Sequence, residues 1–282
     1  MRPIKIVTDS GADLPAEVLE DLDISVVPLV VVAGDKAYNE TELDRDTFWQ
    51  LLEQNGALKT SQPSVGMYQQ AYQRLVDLGN DVLCFCITSR HSGTYSSAQT
   101  AAAKFAGRVQ VVDSLGLSLV MGFQVIVAAK MARLGARLGD IVEAARAIRE
   151  RSHVTFQLRT LEYLRRGGRA ARLMPAVDRV ARALNLTILL TLTDGELKLS
   201  GVSRSYKQGL RRIRDEAVRL APLESLGIVH TRIPEVAQRM ADELAALTGF
   251  RRESVIITEL GAGMSCHGGE GMIGAVAVRQ AP

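Results

Sequence analysis

Aromatic side chains are scarce in this chain of 282 residues: they make up 5% of it, and only one is a tryptophan. Single-stranded nucleic acids are held on several aromatic platforms along a basic groove. Here the rings are few and the net charge is only +3, without the concentrated basic stripe of a nucleic-acid binder. No nucleic-acid partner is therefore expected. Cysteine is also sparse. Three thiols without zinc spacing give neither a disulfide framework nor a metal centre. Cys84 and Cys86, alternating along LCFCI, read as small side chains on one buried strand face. A membrane-length apolar run is lacking too. LGLSLVMGFQVIVAAKMARLG is interrupted by Lys130, Arg133 and glycines, and reads as a buried helix. The opening MRPIKIVTDS enters a strand at once and carries an early acid, so no signal peptide is expected. The expected compartment is a reducing cytoplasm, and no metal or cofactor is expected.

What is present is ordinary globular composition, 47% hydrophobic and 23% charged. Roughly the first 155 residues alternate strand and helix, which implies a mostly parallel sheet covered on both faces. Strands are expected at IKIVTDS, DVLCFCIT and VQVVDS. ISVVPLVVVAG and KAYNE are expected to form a hairpin closed near Gly34–Asp35. Helices are expected at DRDTFWQLLEQ and over 117–134 and 139–151. From residue 158 the texture changes. FQLRTLEYLRRGGRAA reads as a helix, and a hairpin turns at Asp194–Gly195. Helices and strands alternate again to the end. The fold class is thus α/β with two domains: an N-terminal, mostly parallel three-layer domain over 1–157, and a smaller C-terminal α/β domain over 158–282.

Ligands of such sheets bind beyond the carboxyl ends of the strands. Four hydroxyl-rich segments are expected there: TDSG, TSQPS, SRHSGTYSS and VDSLG. Thr60, Ser61 and Ser64 share one loop; Ser92, Thr94, Ser96 and Ser97 share another. One or two hydroxyls per loop are explained as helix caps. The surplus offers donors for a carboxylate or phosphate if the two loops converge. Asp9 and Asp113 each end a strand, either as caps for the next turn or as a magnesium pair. Arg165, Arg166, Arg169 and Arg172 surround Gly167–Gly168, either as a helix C-terminus or as an anion site. Arg204, just past a hairpin strand, is a further anion candidate.

Near the end, CHGGEGMIG contains the pattern G-x-G-x-x-G at Gly269, Gly271 and Gly274. A dinucleotide loop opens a helix and has an acidic residue about 20 positions later. Here AVAVRQAP comes next, with no acid left, so that reading is set aside. Six glycines in residues 261–274 leave His267 reachable in a strand-like segment, as a donor to an anion or a base.

In series, IVTDSGADLP, KTSQPS, HSGTYSSA, VVDS, LEYLRRGGRAA, SRSYKQ and HGGEGMIG resemble the DegV family of bacterial lipid-binding proteins. The resemblance spans nearly the whole chain. It implies one long-chain fatty acid enclosed in a tunnel between two α/β domains. It also implies a separate partner, the catalytic subunit of a fatty acid kinase, which phosphorylates the carboxyl group for phospholipid synthesis. The binding subunit itself is then not an enzyme, and transient contact with a membrane is allowed. By matching positions, Thr60 and Ser92 look like the carboxylate's hydroxyl partners, with Ser61 and Thr94 beside them. His267 looks like the imidazole behind them, and Arg204 the arginine at the head group. The family's usual H-T-G-P-G reads H-G-G-E-G here, with Gly268 and Glu270 substituted. Leu119, Met121, Phe123, Val125, Ile126, Leu189 and Leu190 are available to line a tunnel. The alternative is a stand-alone enzyme on a small phosphorylated or acylated metabolite, using Asp9, Asp113 and His267.

Overall fold

A computed structural model describes residues 2–160, 162–166 and 186–281. The arginine and double-glycine segment beyond Arg166 lies outside the described residues.

The chain is α/β and builds two principal sheets. Ile4–Asp9, Ser25–Val27, Asp81–Cys86 and Val109–Asp113 form a parallel sheet in which Ile4–Asp9 lies between Ser25–Val27 and Asp81–Cys86. Helices Val65–Asp77 and Thr94–Ala102 cover one face, burying Tyr68, Tyr72, Ala98 and Ala101 against Val7, Cys84 and Cys86. Helices Leu119–Arg133 and Leu138–Arg151 cover the other, burying Met121, Val125 and Ile141 against Ile6, Leu83 and Phe85. Three layers result.

The expected hairpin is only half of what the first 40 residues do. Val30–Ala33 and Lys36–Asn39 do pair around Gly34–Asp35. The upstream ISVV does not continue that strand. Ser25–Val27 joins the parallel sheet instead, beside Ile4–Asp9. Pro28, which has no N–H to give a ladder, separates the two. The short strand Lys59–Ser61 then adds antiparallel to Val30–Val32. TSQPS, expected as loop, therefore begins on a strand. This third sheet and helix Arg45–Asn55 enclose Val31, Phe48, Trp49 and Leu52.

Among the described residues, the second large sheet has six strands. Ile273–Arg279 lies at its centre, antiparallel both to Ser152–Leu158 and to Leu223–His230. Strand Ser152–Leu158 corrects the expected helix over FQL. Five of its residues are buried, because helices cover both sheet faces and a long apolar run suits a central strand. The chain thus changes sheets at Ser152, within the segment assigned to the first domain by sequence.

Helix Leu119–Arg133 is apolar on all sides as far as Ala129, Gln124 excepted, because that part lies between the two large sheets. Met121 and Val125 face the parallel sheet, whereas Leu119 and Phe123 pack on Val154, Phe156, Leu190 and Val276. Leu14, Leu192, Leu197 and Met264 touch both clusters and knit the two halves together. Leu189 packs on the opposite face of its sheet, with Ile213 and Leu226, and so cannot line a space between the halves. Among the described residues, no helix is long and apolar enough to cross a membrane.

Candidate functional site

A cavity of about 70 Å³ lies where the two halves meet, lined by Thr60, Ser61, Thr88, His91, Ser92 and His267 on its polar side. Leu29, Ile87, Leu117, Leu164, Leu197 and Met264 form its apolar walls. Two of the four hydroxyl segments contribute directly, TSQPS through Thr60 and Ser61 and SRHSGTYSS through His91 and Ser92, while VDSLG only leads into Leu117. The fourth, TDSG, lines a neighbouring pocket with Asp13, Glu40 and Arg45.

Thr60 reaches the cavity because its strand pairs with Val31. Its Oγ1 lies 3.0 Å from His267 Nε2. Two residues 207 positions apart in the chain thus form one hydroxyl–imidazole pair. Ser92 sits across from them, with its Oγ 2.7 Å from Thr94 Oγ1 and accepting from the Thr94 N–H. Thr94 is fully buried and supports Ser92 from behind, off the cavity wall. The amide of Gln62 packs directly on Gly93, where a Cβ would come within 2.8 Å of it. The two hydroxyl loops therefore touch. Ser61 lines the cavity from an exposed position, and Ser64 caps the next helix through the Met67 N–H. Arg204 is exposed, its N–H donating to Gln208 Oε1, and is not among the cavity's walls.

His267 does not lie on a strand-like segment. It sits on the short helix Ala262–Gly268. Cys266 points elsewhere, into the cluster of Val31, Phe48 and Trp49. Burial pushes its thiol up to about 12, with Glu40 adding to the effect, so it stays neutral.

Asp9 and Asp113 act as loop fasteners. Asp9 is fully buried and accepts from the Gly11 N–H at 3.0 Å and the Ile87 N–H at 2.7 Å. Asp113 accepts from Ser89 and Leu115. These bonds hold Ile87 in the cavity wall and fix the turn that leads to Leu117. Glu270, the departure from the usual motif, is half-exposed and faces Arg232 at 3.6 Å.

Sequence reasoning missed the cavity's roof. The tip of the second hairpin, between Thr187–Thr193 and Glu196–Ser203, folds onto the first half. Thr88 Oγ1 donates to Gly195 O at 3.0 Å, and the Leu197 N–H donates to His91 Nε2 at 3.0 Å. Leu197 is thereby laid over the cavity. The only available signal was the Asp-Gly turn itself, which says nothing of where its tip docks. Gly195 has φ +79°, and a Cβ there would overlap Thr88 Oγ1. Gly195→Ala is expected to release this contact at a cost of about 1–3 kcal/mol. Faster hydrogen exchange at the Leu197 amide, with exchange at buried Leu226 unchanged, is the result that checks it.

Two α/β halves joined over one hydroxyl–imidazole cavity define the class of protein. The chain matches the family described as an uncharacterised protein of the DegV family over residues 3–280, and it belongs to that family. A DegV domain-containing protein of Streptococcus pyogenes serotype M6 is 32% identical over 99% of this chain and 99% of its own. A fatty-acid-binding DegV family protein from Thermus thermophilus superposes with TM-score 0.87 at 30% identity, covering 99% of this chain and 100% of that one. DegV from Bacillus subtilis, a fatty acid binding protein, gives TM-score 0.85 at 27% identity, with 99% and 100% covered.

Proposed function

We propose that this chain binds a long-chain fatty acid, with its carboxylate against Thr60, Ser92 and His267 and its tail between the two halves. The observation that carries this reading is the 3.0 Å Thr60–His267 pair at the polar end of an apolar-walled cavity. A carboxylate withdrawn from water needs donors around it, and two hydroxyls and an imidazole supply them. Ser61, from its exposed position, and Arg204, which lies off the cavity walls, are the remaining members of the proposed head-group set, with Thr94 holding Ser92. A tail of about 14 methylenes contributes roughly 11 kcal/mol of gross driving force, less the cost of immobilising it. The cavity of about 70 Å³ takes the head group only. The tail then runs past Leu117, Leu197 and Met264, whose packing opens to admit it.

In this proposal the chain is a carrier rather than an enzyme. A separate kinase subunit phosphorylates the presented carboxyl group. The carboxylates of the enzyme alternative, Asp9 and Asp113, are both committed to backbone N–H groups, which favours the carrier.

Native mass spectrometry after gentle purification tests the reading directly. A bound mass in the fatty-acid range is expected. Thr60→Ala with Ser92→Ala is expected to lower affinity at least tenfold, as loss of hydrogen bonds to a charged group does. A wild-type protein that takes up no fatty acid, or a double variant whose unfolding temperature falls in step with its occupancy, would overturn it.

A further inference from the structure

We propose that Glu40, acting with Ser10 and Asp13, is a positioning residue of the head-group site: it clamps the helix that carries His267 to the wall that carries Leu29. The inference rests on the fatty-acid reading above.

Glu40 follows the first hairpin and is only 6% exposed. Its Oε1 accepts from the Gly263 N–H at 2.7 Å, and its Oε2 accepts from the Ser10 hydroxyl. Ser10 Oγ in turn accepts from the Leu29 N–H at 2.9 Å, and Leu29 O accepts from the Glu40 N–H at 2.9 Å. The Leu29 peptide is thus gripped on both sides. Asp13 Oδ1 accepts from the Gly261 N–H at 2.8 Å. Leu29, Gly263, Met264 and His267 all line the cavity, so one buried carboxylate ties two of its walls together.

The first two glycines of GAGMSCHG are explained by the same approach. A Cβ on Gly261 would overlap Glu40 Oε1, and one on Gly263 would come within 3.1 Å of Leu29 Cδ1. The helix Ala262–Gly268 is seven residues long, too short to hold its own orientation. Its ends decide where it points. His267 lies four residues beyond Gly263, about 6 Å along the axis. A small tilt at the Glu40 end carries the imidazole off Thr60.

The groups facing Glu40 are Asp9, Asp13, Arg45 and Cys266. Burial raises Glu40 from its usual range, opposed by the bonds from Ser10 and Gly263 and by Arg45.

The test compares Glu40→Ala with Glu40→Gln. Glutamine keeps an acceptor for Gly263 and turns its amide towards Ser10; alanine removes both. Isotope-labelled histidine NMR reads the His267 imidazole in the ligand-free protein, and calorimetry with palmitate reads affinity. Glu40→Ala is expected to shift the His267 ring resonances, and to weaken palmitate binding by about tenfold to a hundredfold. Glu40→Gln is expected to restore most of both. The proposal is overturned if Glu40→Ala leaves the His267 spectrum in place. It is equally overturned if alanine and glutamine lose affinity alike, in proportion to the folded fraction. If wild-type protein binds no palmitate, the carrier reading fails, while the His267 spectrum still decides the positioning role.

Discussion

Gly269→Ala is expected to destabilise the protein by roughly 3 kcal/mol or more, read as a lower urea midpoint with an unchanged slope. Two effects combine. Gly269 has φ 70° and ψ 176°, a region that only glycine occupies comfortably. A Cβ there would also overlap the Tyr163 ring. Neither neighbour can give easily. The Gly269 N–H donates to Ser265 O at 2.9 Å, and its carbonyl accepts from Thr231 Oγ1 at 2.5 Å. Thr231 is fully buried and also receives the Met272 N–H. Tyr163 is packed against the Phe48 and Trp49 cluster. Gly135→Ala serves as the control, since φ there is +76° and an added Cβ would meet nothing within 4 Å. Its cost is expected to be about 1 kcal/mol, from backbone strain alone. Equal costs at the two sites would show that the Tyr163 contact does not matter. The same turn anchors the C-terminal end of the His267 helix, so the variant is also expected to lose fatty-acid affinity.

That turn answers what the G-x-G-x-x-G pattern is for, and shows where sequence reading reaches its limit. The pattern's rejection as a dinucleotide loop was legible in AVAVRQAP, which brings neither a helix nor an acid. Its real role was not, because Thr231 and Tyr163 lie far away in the chain. Parallel strands were legible where an apolar run stops at a polar one, as at Ile4–Asp9 and Val109–Asp113. The hairpin turns at Gly34–Asp35 and Asp194–Gly195 were legible from turn chemistry. Other elements were not. Ser25–Val27 and Val30–Ala33 belong to one apolar run, and only tertiary pairing sends them to different sheets. Helix Ala262–Gly268 contains two glycines among seven residues, and local propensity argues against it. Glu40 and Asp13 override that propensity from outside, and nothing in KAYNE announces the role. At the site, hydroxyl density pointed to the two loops that hold Thr60 and Ser92, the family resemblance picked those two residues within them, and glycine density drew attention to His267. The pairing of Thr60 with His267 is a property of the fold. Among the aliphatic candidates, Leu189 and Leu190 are neighbours on a strand and so face opposite ways; sequence alone did not say which faced inward.

Asp13→Asn is expected to stabilise the protein increasingly as pH rises from 3.8 to about 8, with the full gain above that window and a smaller one near pH 5. Burial raises the Asp13 carboxyl from 3.8 to about 8, opposed by the Gly261 N–H and aided by Glu40. Between those values the folded chain keeps a proton that the unfolded chain has released. The folded state then binds more protons, so stability falls as pH rises through this window and stays low beyond it. Asp9, raised from 3.8 to about 7 chiefly by burial, acts with the same sign. It is a poorer test, because both its oxygens accept backbone N–H groups, and an amide would set one N–H against another. Asp13 is suited to the change. Its Oδ1 would keep the Gly261 bond as the asparagine carbonyl. Its Oδ2 and the nearby Ser118 Oγ are buried without a hydrogen bond of normal geometry, and an amide at that position has protons to donate. Urea unfolding of wild type and variant at pH 5, 7 and 9 measures the effect. The gap is expected to open with pH to a few kcal/mol. Parallel stability curves for the two proteins across that range would mean that Asp13 is ionised in the folded chain.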